Sequence, residues 1–158
     1  NLLTKGDTDR WSPATEALLM WAARSEHVEK LIKPSLDKGK WVLSDRFYHS
    51  TYAYQGVGRN LGIENMRIIK KIIIGDITPD LTFILDIDPV NGIDRTKNRD
   101  SNEDRFEKMN LDFHINLRKA FIQISKKDPK RFIVIDAELS LEKISEIISS
   151  EVQARFQL

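Results

Sequence analysis

The chain has 158 residues, enough for one domain with a real core, and its 25 Lys and Arg balance 24 Asp and Glu. Nothing global therefore points to a nucleic-acid or membrane partner, and any anion binding must come from local clusters. There is no cysteine, hence no disulfide framework and no thiolate metal site, and no apolar run reaches membrane-spanning length.

Residues 1–10 read as the tail of a helix entering a polar loop. Ser12 is a cap and Pro13 suits a first helical position. Leu18, Trp21, Val28, Leu31 and Ile32 give the helix its apolar stripe, and Pro34 is expected to kink or end it. By themselves Met20 and Trp21 read as core packing. Arg24 stands out because its small neighbours leave room beside it.

After a turn at Gly39, Trp41-Val42-Leu43-Ser44-Asp45-Arg46 reads as a buried parallel strand ending in charge. Ligands of open α/β sheets bind at that end of a strand. Asp45 suits a magnesium ion, held directly or through water, and Arg46 can fork onto a phosphate. Ser50, Thr51, Tyr54 and Gln55 can reach a flat polar ligand. The competing reading is a strand capped by a surface Asp-Arg pair and followed by an amphipathic helix. Phe47 to Tyr54 is predicted helical, and Gly56, Gly58 and Gly62 predict a flexible loop around Arg59.

Ile63 to Ile74 is predicted as a helix closed by Gly75, and Leu81–Asp86 as a second buried strand. Asp88-Pro89 opens a short helix carrying Arg95. The run Arg99–Arg105 is polar and without periodicity. It reads either as a solvated surface turn or as a mobile, anion-closing lid. Phe106, Met109, Phe113, Leu117, Phe121 and Ile124 have helical spacing. Phe132–Ala137 is the third strand, and Ser140 caps a last amphipathic helix. Strands alternating with helices predict an α/β fold, a parallel sheet flanked by helices. His27, His49 and His114 show no metal-ligand spacing.

Asp45-Arg46-Phe47, then Ser50-Thr51, then Ala53-Tyr54-Gln55-Gly56 resemble the signature of bacterial thymidylate kinases. The likeness extends to Met20–Arg24, Gly75–Thr82, Leu85-Asp86, Asp104–Glu107 and Ile135–Ala137, so it covers nearly the whole chain. It implies a P-loop nucleoside-monophosphate kinase fold in a single domain over 1–158, with a mobile lid around 95–106. It also implies transfer of a phosphoryl group from ATP to dTMP, Mg2+ as cofactor, a homodimer and a cytoplasmic location, with neither nucleic acid nor membrane as partner. Carried over by position, Arg46 binds the dTMP phosphate and Asp45 sits at the magnesium. Arg24 meets the thymine edge with Ser50, Thr51 and Gln55 nearby, and Tyr54 lies by the deoxyribose. Arg95, Arg99 and Arg105 are lid candidates that neutralise charge on the transferred group.

Two departures from the family pattern are visible. Met20 stands where the family places a Phe that stacks on the base; a polarizable sulfur can cover a base as well. The Gly-x-x-x-x-Gly-Lys-Ser/Thr loop that cradles ATP phosphates is absent from the sequence. The expectation is therefore a C-terminal portion of a longer kinase, without the N-terminal strands and inactive by itself. The alternatives are another nucleoside-monophosphate or deoxynucleoside kinase, and a non-catalytic nucleotide-binding module.

Overall fold

The computed structural model describes residue 3, residues 5–97 and residues 105–157. Helix α1 (Pro13–His27) starts as its sequence demands. Ser12 accepts a hydrogen bond from the Thr15 amide, and Pro13 fills a position whose N–H would have no helical partner. Pro34 does not end the helical run. A π-helical segment, Val28–Ile32, widens the spiral before it, and α2 (Lys33–Leu36) continues past it. Such a widened turn is one way a helix accommodates a residue that cannot donate a backbone bond.

The expected strand Trp41–Asp45 is not one. Residues 41–44 lie outside any helix or sheet, and among the described residues no strand pairs with them. A parallel strand exists only through its neighbour's ladder, and an apolar run cannot form one alone. Trp41 rests instead edge-on against Phe156, 4.8 Å between centroids.

Helix α3 (Tyr48–Thr51) passes into a second π-helical segment, Tyr52–Gly58. Gly56 and Gly58 thus belong to a helix rather than to a loop. A Cβ on Gly58 would come within 2.6 Å of the Phe113 ring, so the glycine permits close approach of the helix from below. Gly62, at φ 82°, then starts α4 (Ile63–Ile74), and Gly75, at φ 63°, closes it.

Strands β1 (Thr82–Asp86) and β2 (Phe132–Asp136) pair in parallel, Thr82 opposite Phe132 and Asp86 opposite Asp136. Helix α5 (Pro89–Lys97) follows β1 and α6 (Leu111–Lys127) precedes β2. Phe106 and Met109 lie before α6 and not within it. The side chain of Asn110 accepts from the Phe113 amide and fixes the helix start there. Helix α7 (Leu141–Phe156), capped by Ser140, ends the described chain.

The core lies among α1, α4, α6 and the α3–π segment. Trp21, Val28, Tyr48, Tyr52, Ala53, Met66, Phe113, Leu117 and Ala120 are buried in it. One face of α1 is therefore held rigidly against the residues that follow Arg46.

Candidate active site

Glu16, Met20 and Arg24 recur every four residues on α1, so they share one face of the helix. Opposite lie α3 and the π segment, which bring Ser50, Thr51, Tyr54 and Gln55. Arg24 Nε donates to Thr51 Oγ1 at 2.8 Å, and its guanidinium stands 6.0 Å from the Phe47 ring. Burial, then the charge of Arg46, pushes the Arg24 guanidinium down to about 10. Two cations thus face one region, and among the described residues neither pairs with a carboxylate.

Arg46 is exposed and sits at φ 61°, a left-handed conformation uncommon for a side chain of that size. Ser44 Oγ donates to the Arg46 carbonyl at 2.9 Å, and the guanidinium lies 5.1 Å over the Tyr54 ring. Tyr54 in turn meets Phe106 and Phe113 edge-on, at 5.0 and 6.1 Å. The left-handed turn lifts Arg46 off the line of the preceding chain and onto that aromatic support. Ser50 and Thr51 are buried and Met20 is half-buried.

Asp45 is exposed at the bend before Arg46. Among the described residues no group of three or more Asp, Glu, His or Cys gathers as a metal cage. Magnesium does not require one. It is commonly held by one or two carboxylates, with waters and substrate phosphates completing the octahedron. An exposed carboxylate beside an exposed arginine fits that pattern.

Gln55 is buried and does not stand alone. Its Nε2 donates to Glu16 Oε1 at 2.7 Å. The same carboxylate accepts from Arg59 Nη2 at 3.0 Å and Arg105 Nη2 at 2.6 Å. Glu16 and Arg105 are both 0% exposed. Arg105 also donates to the carbonyls of Leu3, Asp7 and Thr8, so one side chain joins four points of the chain. Arg95 lies elsewhere, on α5, donating to the Ala137 carbonyl beyond β2 at 2.9 Å. Arg99 and most of the expected lid lie outside the described residues.

The structure therefore brings together Arg24, Arg46, Thr51 and Tyr54, sets Gln55 against Glu16, and places Arg95 apart from them. Glu16 and Arg59 were missed in the sequence. The four-residue spacing from Glu16 through Met20 to Arg24 is the signal that could have revealed Glu16. A second missed arginine, Arg118 on α6, donates from Nε and Nη2 to both oxygens of Asp86, at 2.8 and 2.9 Å. That pair borders an open cavity of about 390 Å³ with Asp88, Asp136 and Glu138, at the carboxyl end of the two strands.

Residues 1–148 match the family described as thymidylate kinase. A protein named thymidylate kinase from Magnetococcus marinus is 43% identical over 155 residues, covering 98% of this chain and 74% of that protein. One of the same name from Caulobacter vibrioides is 41% identical over 157 residues, covering 99% and 75%. A third, from Lactobacillus acidophilus, is 43% identical over 148 residues, covering 93% and 68%. The matched residues 1–148 span both α1 and the segment from Asp45 to Gln55. The chain belongs to the thymidylate kinase family.

Proposed function

We propose that the chain acts as a nucleoside-monophosphate kinase, transferring the terminal phosphoryl group of ATP to dTMP and giving ADP and dTDP for dTTP synthesis. The observation that carries the acceptor assignment is the juxtaposition of Arg24 and Arg46. Two guanidiniums share one region without a carboxylate between them, and an anionic nucleotide relieves that repulsion. Arg46 takes the phosphate and Arg24, oriented by Thr51, takes the base edge. Tyr54 supports Arg46 and packs beside the sugar; Met20, Ser50 and Gln55 complete the acceptor pocket.

Phosphoryl transfer calls on a protein mainly to position reactants and to neutralise charge on the transferred group. Mg2+, held through Asp45, would supply such neutralisation when bound. Arg95, Arg99 and Arg105 serve the lid. Arg105, anchored on Glu16 and three carbonyls, is its root. The exposed Ile68 and Ile72, one turn apart on α4, support a homodimer. No helix among the described residues is long and apolar enough to cross a membrane, and a cytoplasmic location fits the substrates. The half-exposed Leu85 on β1 and the unpaired Trp41–Ser44 run support a further strand pairing between them, as a P-loop kinase sheet would require.

Calorimetric titration of Arg46→Ala and Arg24→Ala with dTMP tests the assignment. Each loses a charge-assisted contact of about 1.5–3 kcal/mol, so affinity falls roughly ten- to hundredfold. Unchanged affinity in either variant removes that arginine from the pocket.

A further inference from the structure

Glu16 is fully buried, and both oxygens of its carboxylate are in use. Oε1 accepts from Gln55 Nε2 at 2.7 Å and Arg59 Nε at 3.4 Å. Oε2 accepts from Arg59 Nη2 at 3.0 Å and Arg105 Nη2 at 2.6 Å. Arg59 and Arg105 can only donate, so the carboxylate they share serves as an acceptor toward each neighbour. Gln55 must therefore turn its NH2 toward Glu16. Its amide oxygen is left as the end turned away from the acid.

We propose that Glu16 is a positioning residue that fixes the amide orientation of Gln55 and thereby sets preference for a base with an imide edge. The proposal rests on the reading of Arg24 and Gln55 as the base end of the acceptor pocket. Arg24, bonded to Thr51, can only donate, and the oriented Gln55 adds an acceptor one helical turn along from Thr51. A thymine presents the complement, a C4 carbonyl that accepts next to an N3–H that donates. A cytosine reverses both, with an amino donor at C4 and an acceptor at N3. One buried carboxylate thus reads the base through another side chain. Because the same carboxylate holds Arg105, it also ties base recognition to a residue of the expected lid.

The test compares dTMP and dCMP affinities by calorimetry on the full chain, with melting temperatures measured in parallel. Glu16→Gln can both donate and accept, so it releases the amide of Gln55. Gln55→Leu removes that amide and leaves Glu16 its two arginines. Each substitution is expected to lower the dTMP-to-dCMP affinity ratio about tenfold, the equivalent of one misdirected hydrogen bond. The double substitution should be no worse than the more severe single one, because both break the same link. A folded Glu16→Gln protein whose ratio stays within about twofold of the parent overturns the proposal, as do effects that multiply in the double variant. If Glu16→Gln does not fold, Glu16→Asp keeps the charge and withdraws the carboxylate from Gln55. It is expected to lower the ratio, and an unchanged ratio there overturns the proposal as well. Arg24→Ala separates the two levels. Lost dTMP affinity in Arg24→Ala with an unchanged ratio in Glu16→Gln defeats only the role of Glu16. Unaffected dTMP binding in Arg24→Ala defeats the pocket itself.

Discussion

The two sides of this molecule differ in how their polar and apolar groups are satisfied. Where α1 meets the π segment, the Glu16 carboxylate is buried and paired with Arg59 and Arg105. Glu16 and Arg105 are fully enclosed, and Gln55 and Thr51 are held by named partners. Around the strands the reverse holds. Leu43 is 90% exposed and Trp41 58%, while Leu85 and Val134 face outward from a sheet of two strands. Buried ionic groups persist only where their bonds are complete, so the first region has little freedom to rearrange. The second has apolar surface still to cover. The contrast teaches that the residues proposed to hold the acceptor nucleotide are positioned by helix packing and not by the sheet.

The largest expected effect comes from breaking the buried pair. Among the described residues, Arg105→Ala leaves Glu16 with Arg59 as its only charged partner, and breaking a buried pair costs about 3–5 kcal/mol. Denaturant unfolding should show that loss. A change under about 1 kcal/mol would mean that water reaches the site and the pair is not enclosed.

A smaller and graded effect follows from His49. Burial, with the charges of Arg131, Arg24 and Lys70, pushes its imidazole down to about 3, well below the ordinary 6.5. Below about pH 6.5 the unfolded chain takes up a proton that the folded chain refuses. This contribution to stability is thus complete above that pH and is lost as pH falls toward 3. The slope approaches about 1.4 kcal/mol per pH unit. Unfolding curves between pH 7 and 4 should lose this slope in His49→Gln. An equal slope in parent and variant would assign the acid sensitivity to other groups.

The smallest effect is expected on the sheet side. Leu43→Ser in this chain should change stability by less than about 0.5 kcal/mol, since the side chain has almost nothing to lose. A loss of about 2 kcal/mol or more would mean that Leu43 is covered in solution, and the contrast between the two sides would weaken.

What could be read from the sequence divides along the same physical line. The starts of α1 and α7 at Ser12 and Ser140, the end of α4 at Gly75 and the span of β2 depend on neighbours a few residues away. Caps, a positive φ and a short apolar run carry that information locally. The Trp41–Asp45 run failed because pairing belongs to two strands and cannot be read from one. The start of α6 failed because apolar spacing from Phe106 onward concealed the competing cap at Asn110. The motif singles out Arg24, Arg46 and Thr51, and the structure sets Arg24 against Thr51 and near Arg46. The buried anchor of Arg105 was not, because Glu16 lies 89 residues earlier. The two meet only once α1 and the segment before α6 have packed.

The most direct measurement is calorimetric titration of this chain with dTMP, in competition with dCMP, dGMP and dAMP. The account predicts saturable binding of dTMP in preference to the other three, lost on Arg46→Ala. A folded chain that binds none of them, or binds all four alike, would contradict it.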